Sequence, residues 1–387
     1  MPFFKDRNCY LKNYNLSLTD KIKGFNYKLL LLVCLAVFIS IGTLYSAANG
    51  EWHPWADKQF MRFLLSLGAL VFASMINLRL WMKYAYVIYG ISFCLLVGVM
   101  LFGHVGMGAQ RWLNLGFMNL QPSELMKISL VLALARYFHG ATLAEIKSIR
   151  GLIVPVLLMA FPVALILEQP DLGTGLMLVF CSGAIFFLVG VQIWKFFLVG
   201  LGAVISVPIL WTFLHEYQKK RVLTFLNPEN DPLGSGYHIM QSKITLGSGG
   251  VFGKGFIQST QSRLEFIPEK QTDFIFTLIA EEFGFLGATA LILLFFIIIL
   301  YCVYIGMISN NYFGKILATG LGVNFALYVF INIGMVTGLL PVVGVPLPLV
   351  SYGGTAMLTL FFGFGLVQSV YINKEMVIGR NGSIDDD

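Results

Sequence analysis

The sequence predicts an all-α polytopic membrane protein of about ten transmembrane helices, with one long extracytoplasmic loop between spans seven and eight. Three observations carry that prediction. The 387 residues are 57% hydrophobic and 12% charged, about half the charged fraction of a soluble domain. Apolar runs of roughly 20 residues recur along the chain, each sufficient to cross a bilayer core of about 30 Å. Lys and Arg collect in alternate polar segments, as orientation in a membrane requires. Such a chain is no ordinary globular enzyme.

The opening stretch, MPFFKDRNCYLKNYNLSLTDKIKGFNYK, is too polar and too long for a secretory leader. No small-residue cleavage site follows the first apolar run, so that run reads as a permanent span. The spans fall near 27–48, 58–77, 80–102, 122–138, 151–168, 173–190, 194–214, 273–305, 313–338 and 347–372. The tail carries Lys5, Arg7, Lys12, Lys21, Lys23 and Lys28. Placing it in the cytoplasm also puts Arg79, Lys83, Arg136, Lys147, Arg150, Lys195, Lys315, Lys374 and Arg380 inside. The expected organisation is a cytoplasmic tail at 1–26, one membrane domain at 27–372 and a second cytoplasmic tail at 373–387.

Four of the cysteines, Cys34, Cys94, Cys181 and Cys302, lie within apolar runs and read as small core residues, with no disulfide framework. Residues 216–272 form the long outward loop, with seven basic side chains against five acidic ones. Either a long loop crosses despite its charge, or it is a polar platform for an anionic ligand.

Charged residues in so apolar a chain need a reason. Asp273 stands at the start of the eighth span, where it either caps the helix or serves as a base. At about 100° per residue, Thr277, Ala280 and Gly284 share its face and would leave room beneath the carboxylate. Glu281 and Glu282 lie deeper, and either pair with buried basic groups or mark a polar path.

In GMGAQRWLNLGFMNLQPSELMK, Glu124 and Lys127 are three apart on one helix face. They form a self-satisfied ion pair, or Lys127 binds diphosphate as a point charge with Arg111 as a second, forked donor. Gln121 and Ser123 suit capping of that helix. Glu168 and Asp171 in EQPDLGTG are either a solvated turn or two outward carboxylates for Mg²⁺ or another divalent cation.

The stretch 338–357, with Pro341, Pro346 and Pro348 among several glycines, breaks a helix at membrane depth. Such backbone is tolerated only where protein or a wet cavity covers it, so it reads as a re-entrant lining. GSGGVFGKG is no Walker loop, because Ser248 and Gly255 stand at the wrong positions. No H-E-x-x-H occurs, and the absence of a nucleotide-binding domain argues against ATP-driven transport.

Several blocks in order, GAQRWLNLGFMNLQPSELMK, EQPDLGTG, RVLTFLNPENDPLGSGYHIMQSKITLGSGGVFGKGF, LEFIPEKQTDFIF and PVVGVPLPLVSYGG, resemble the SEDS (shape, elongation, division, sporulation) family across nearly the whole membrane region. QSKI at 241–244 and FLNPENDP at 225–232 resemble its elongation branch more than its division branch. The resemblance implies a glycosyltransferase that polymerises lipid II, an undecaprenyl-diphosphate-linked disaccharide-pentapeptide, at the outer face of the cytoplasmic membrane. It implies a class B penicillin-binding protein as transpeptidase partner, along with other elongation-complex membrane proteins, and no nucleic acid.

By motif match, Asp273 is the family's essential carboxylate, expected to act on the acceptor 4-hydroxyl. Glu124 and Lys127 match its functionally sensitive pair, and Arg111 and Trp112 its outer-loop motif. Lys243 and Gln121 join them as expected substrate-binding residues. No organic cofactor is expected; Asp171 and Glu168 are the expected ligands if a divalent cation takes part. A lipid II flippase and a non-catalytic scaffold are the rival readings.

Overall fold

Each of the ten apolar runs overlaps one helix of 18 residues or more in the computed structural model, which describes residues 16–106, 109–114, 119–213, 216–227, 229, 231, 234–260 and 270–379. After a short helix α1 (Leu18–Lys23) come α2 (Tyr27–Ala47), α3 (Ala56–Met75) and α4 (Leu78–Phe102). A small antiparallel sheet follows, of β1 (His104–Gly106), β2 (Ala109–Asn114) and β3 (Asn119–Leu120). Next are α5 (Pro122–Gly140), the short α6 (Leu143–Lys147), α7 (Arg150–Glu168), α8 (Leu172–Val189) and α9 (Ile193–Phe213). The long loop supplies α10 (Glu216–Leu226) and α11 (Ser235–Ser248) before α12 (Ile275–Ile308), α13 (Tyr312–Val336) and α14 (Gly354–Ile372). Short polar side chains set several starts: Asn26, Asn77, Asp171 and Asn311 each accept a backbone N–H at the head of α2, α4, α8 and α13.

Seven helices among the described residues, α2, α4, α7, α8, α12, α13 and α14, are long and apolar enough to cross a membrane. α9 contributes a shorter apolar stretch, Ile193–Pro208. α3 and α5 do not qualify by composition, and for α5 the packing explains why. It touches α4, α7, α8, α13 and α14, so nearly its whole length from Pro122 to Ala135 is buried. A helix wrapped by other helices need not look like lipid. Small residues allow the close approach that membrane bundles use: a Cβ on Gly365 of α14 would stand 2.6 Å from the Leu70 carbonyl of α3. One on Gly320 of α13 would stand 2.8 Å from Val131 of α5.

Two departures from regular helix shape the surroundings of the turn before α12. The first is a break in α12 at Gly284, whose φ is 66°. The glycine-rich stretch 249–255 fills it backbone to backbone. Lys254 and Gly255 donate to the carbonyls of Glu281 and Glu282 at 3.0 Å, while Phe285 and Leu286 donate to Gly250 and Val251 at 2.9 and 3.2 Å. Those are the groups that an unbroken helix would have paired with each other, so the loop gives each of the four a new partner. A Cβ on Gly284 would come within 2.5 Å of the Val251 carbonyl, while one on Gly249 or Gly253 would collide with the carbonyl of Ala280 or Glu282, which is the physical reason for glycine at 284 and at these two places in GSGGVFGKG.

The second departure is the non-helical run from Pro341 to Gly353. Val343, Val345, Leu347, Leu349 and Val350 are buried there, and side chains from other elements satisfy its backbone. Ser40 donates to the Val350 carbonyl at 2.5 Å, Gln59 to Ser351 at 3.1 Å and Asn332 to Val345 at 2.8 Å. Irregular backbone inside a membrane protein needs such cover.

Candidate active site around Asp273

Asp273 lies in the turn 271–274, just before α12. It is not the cap. Phe274 holds the N-cap position, and the helix start has no side-chain cap bond. What the structure fixes is the backbone of the turn. Asn332 donates from one amide nitrogen to the Asp273 carbonyl at 2.9 Å and to the Val345 carbonyl at 2.8 Å. Ser351 donates to the Thr272 carbonyl at 2.6 Å, and the Tyr352 N–H donates to Gln271 at 2.9 Å. The turn is thereby stitched to the irregular run from three directions, and the carboxylate is left half-buried.

The room expected beneath the acid is filled. Thr277 is fully buried and spends its hydroxyl on the Phe274 carbonyl at 2.6 Å. The glycine loop covers Ala280 and Gly284. The space beside the carboxylate lies instead toward Gly344, where a Cβ would sit 3.6 Å from Oδ2 and the φ of +73° disfavours any side chain.

Lys243 borders the same segment from the other end. It is exposed on α11, and its Nζ lies 2.7 Å from where a Cβ on Gly338 would be. Ser242, its neighbour, seats α11 by donating to the Val336 carbonyl at 2.6 Å. The His238 ring lies 6.2 Å from that of Phe274.

Glu124 and Lys127 form the buried ion pair that their spacing allows, at 2.6 Å. The pair is closed by a residue that the sequence reading missed. The Tyr328 hydroxyl donates to Glu124 Oε2 and accepts from Lys127 Nζ, and Nζ stands 4.0 Å from the tyrosine ring. The missed signal is Asn324, Tyr328 and Asn332, three polar residues spaced by four in an apolar helix. That spacing gives α13 one buried polar stripe, which runs from the ion pair to the amide that holds Asp273.

Arg111, Trp112 and Gln121 are engaged elsewhere. Arg111 donates to the carbonyls of Gln169, at 3.3 Å, and Pro170, and stands 3.9 Å from Asp171. It ties β2 to the turn between α7 and α8. Trp112, half-buried, pairs in register with His104. Gln121 stands at the N-cap of α5 but makes no side-chain cap bond, and Pro122 takes the first helical position; the expected capping is not realised.

The expected metal ligands do not suit a cation. Glu168 is exposed at the end of α7. Asp171 is a buried N-cap that receives Thr174 N at 3.2 Å and Thr174 Oγ1 at 2.9 Å, with the Arg111 guanidinium beside it. A carboxylate already facing a guanidinium is poorly placed to hold Mg²⁺. Among the described residues no group of three or more His, Cys, Asp and Glu side chains comes together.

Glu281 and Glu282 are structural. Glu281, fully buried, accepts from Lys254 at 2.6 Å, from the Thr260 N–H and hydroxyl at 3.1 Å each, and from Ser259. Glu282 accepts from Ser46 and from the Ile257 N–H at 3.2 Å. Both carboxylates hold the loop 249–260 on α12.

A bundle with an enclosed charged helix, a loop clasped into a helix break and a half-buried carboxylate on an irregular turn defines a polytopic membrane protein with a polar site among its helices. The chain belongs to the FtsW, RodA and SpoVE family, described as cell cycle protein, whose model matches residues 24–376. It is 41% identical over 352 residues to peptidoglycan glycosyltransferase MrdB of Escherichia coli K12, covering 90% of this chain and 94% of MrdB.

Solved structures are similar as well, two of them as follows. One is a chain from work described as "Structural coordination of polymerization and crosslinking by a peptidoglycan synthase complex". It is 30% identical, with TM-score 0.78 and coverage of 90% of this chain and 98% of that one. The other is the rod shape determining protein RodA of Thermus thermophilus, 28% identical, with TM-score 0.66 and coverage of 90% and 97%.

Proposed function

We propose that the chain is a peptidoglycan glycosyltransferase of cell elongation that polymerises lipid II in the cytoplasmic membrane of a bacterium. The observation that carries the reading is the clamped turn: Asn332, Ser351 and Tyr352 fix the backbone from Gln271 to Asp273, while the carboxylate stays half-buried. A group held that way is pre-positioned. Asp273 takes the proton of the acceptor 4-hydroxyl as that oxygen attacks C1 of the donor sugar. The new glycosidic C1–O bond forms, the C1–O bond to diphosphate breaks, and the lipid diphosphate leaves with the electron pair. General-base assistance of this kind contributes about 10²- to 10⁴-fold.

Glu124, Lys127 and Tyr328 neutralise one another at the head of the stripe that ends in Asn332, so they support the site through α13. Lys243, on the rim by Gly338, is a cation available to substrate, whereas Arg111 acts by fixing the outer sheet. The Lys and Arg distribution favours both termini in the cytoplasm and the site on the outer side. The likeness to a chain of a peptidoglycan synthase complex favours a class B penicillin-binding protein as partner.

The reading is tested with purified full-length protein and lipid II in detergent. Glycan strands resolved on a gel are the expected product. Movement of lipid II headgroups across liposomes without glycan would instead mark a flippase.

A further inference from the structure

Arg62 carries a charge that no carboxylate among the described residues answers. It lies on α3, three residues after Gln59 and on the same face. Its guanidinium carbon stands 4.2 Å from the centre of the Tyr352 ring, and Nε lies 3.2 Å from where a Cβ on Gly354 would be. Nη1 is buried with no hydrogen-bond partner, and no carboxylate pairs with Arg62 among the described residues.

The contrast with the other inward cations is sharp. Lys127 is matched by Glu124, Arg111 by Asp171 and Lys254 by Glu281. An arginine stays charged at any accessible pH, and a buried charge is normally paired. Its surroundings say what is missing. Tyr352, under the guanidinium, bonds through its N–H to Gln271, and Ser351 bonds to Thr272. These are the two residues before Asp273. The guanidinium therefore sits across the 351–354 segment from the turn that carries the acid. Next to it, α14 begins at Gly353 with no side-chain cap, and helix amides there add to an anion's welcome.

The geometry points to Arg62 as a ligand for the diphosphate of the lipid-linked sugar, stacked on Tyr352 and presenting its half-buried guanidinium to the phosphate oxygens. This rests on the glycosyltransferase reading. Guanidinium matches phosphate as a planar fork. In that place it binds the donor and steadies the charge that collects on the diphosphate as the C1–O bond breaks, and no proton passes through it.

The test compares full-length wild type, Arg62→Gln and Arg62→Lys in nanodiscs, with undecaprenyl diphosphate and uncharged undecaprenol as probes, read by native mass spectrometry. Losing one charge-assisted contact weakens binding by about tenfold or more. The expectation is that loss for the diphosphate in Arg62→Gln, an intermediate loss in Arg62→Lys and unchanged undecaprenol binding in both. In the polymerisation assay the same variants raise KM for lipid II. Equal weakening for both probes, or unchanged diphosphate binding in variants that keep the wild-type melting temperature, overturns the assignment. Diphosphate binding that depends on Arg62 in a wild type making no glycan would spare this site and sink the glycosyltransferase reading instead.

Discussion

Tyr328 shows how much of the interior depends on one hydroxyl. It donates to Glu124 and accepts from Lys127 while its ring backs the ammonium. Tyr328→Phe keeps the ring and removes the bridge, leaving a buried carboxylate oxygen short of a donor. The expected cost is about 1–3 kcal/mol, seen as a lower melting temperature together with slower polymerisation. Restoration of the melting temperature by also replacing Glu124 and Lys127 with apolar residues would show that the three act as a unit. The ion pair was legible in the sequence because i and i+3 share a helix face. Tyr328 was not, because it lies 201 residues from Lys127. Only the spacing of Asn324, Tyr328 and Asn332 announced a buried polar stripe. Neither capping possibility is realised, for a related reason: Phe274 rather than Asp273 takes the N-cap position of α12, and Gln121, though at the N-cap of α5, makes no side-chain cap bond.

At the scale of elements, the clasp between 249–255 and the break in α12 is the least expected feature. Hydrophobic patterning runs straight through 273–305, because a broken helix buries the same side chains as an intact one until a second chain segment enters. The glycines of GSGGVFGKG recorded the contact, but a loop glycine by itself does not name its partner. Gly253→Ala tests the clasp: a methyl there meets the Glu282 carbonyl and Gly284 N, 2.6 Å away, at a φ of +81°. Limited proteolysis and hydrogen exchange should show residues 249–260 opening first, with α2 to α8 unaffected. Exchange unchanged from wild type would mean that the carboxylates of Glu281 and Glu282, rather than the glycine contact, hold the loop.

For the whole molecule, composition alone placed the chain in a membrane, and the positions of ten long helices followed from the apolar runs. The number of those helices that face lipid did not follow, because a helix such as α5 hides its charges among neighbours, and hydropathy cannot separate protein cover from lipid cover. The sidedness argument gives its own prediction. Lys220, 66% exposed on α10, should react as Lys220→Cys with an impermeant maleimide added to intact spheroplasts, while Lys23→Cys, exposed on α1, should not. Labelling of Lys23→Cys from outside would invert the topology and place the Asp273 turn on the wrong face for lipid II polymerisation.

The most direct measurement is the initial rate of glycan formation by purified Asp273→Asn beside wild type, at equal melting temperature and saturating lipid II. Loss of a positioned base predicts a fall of about 10²- to 10⁴-fold, with lipid II binding retained. Glycan formed at the wild-type rate would contradict the role assigned to Asp273.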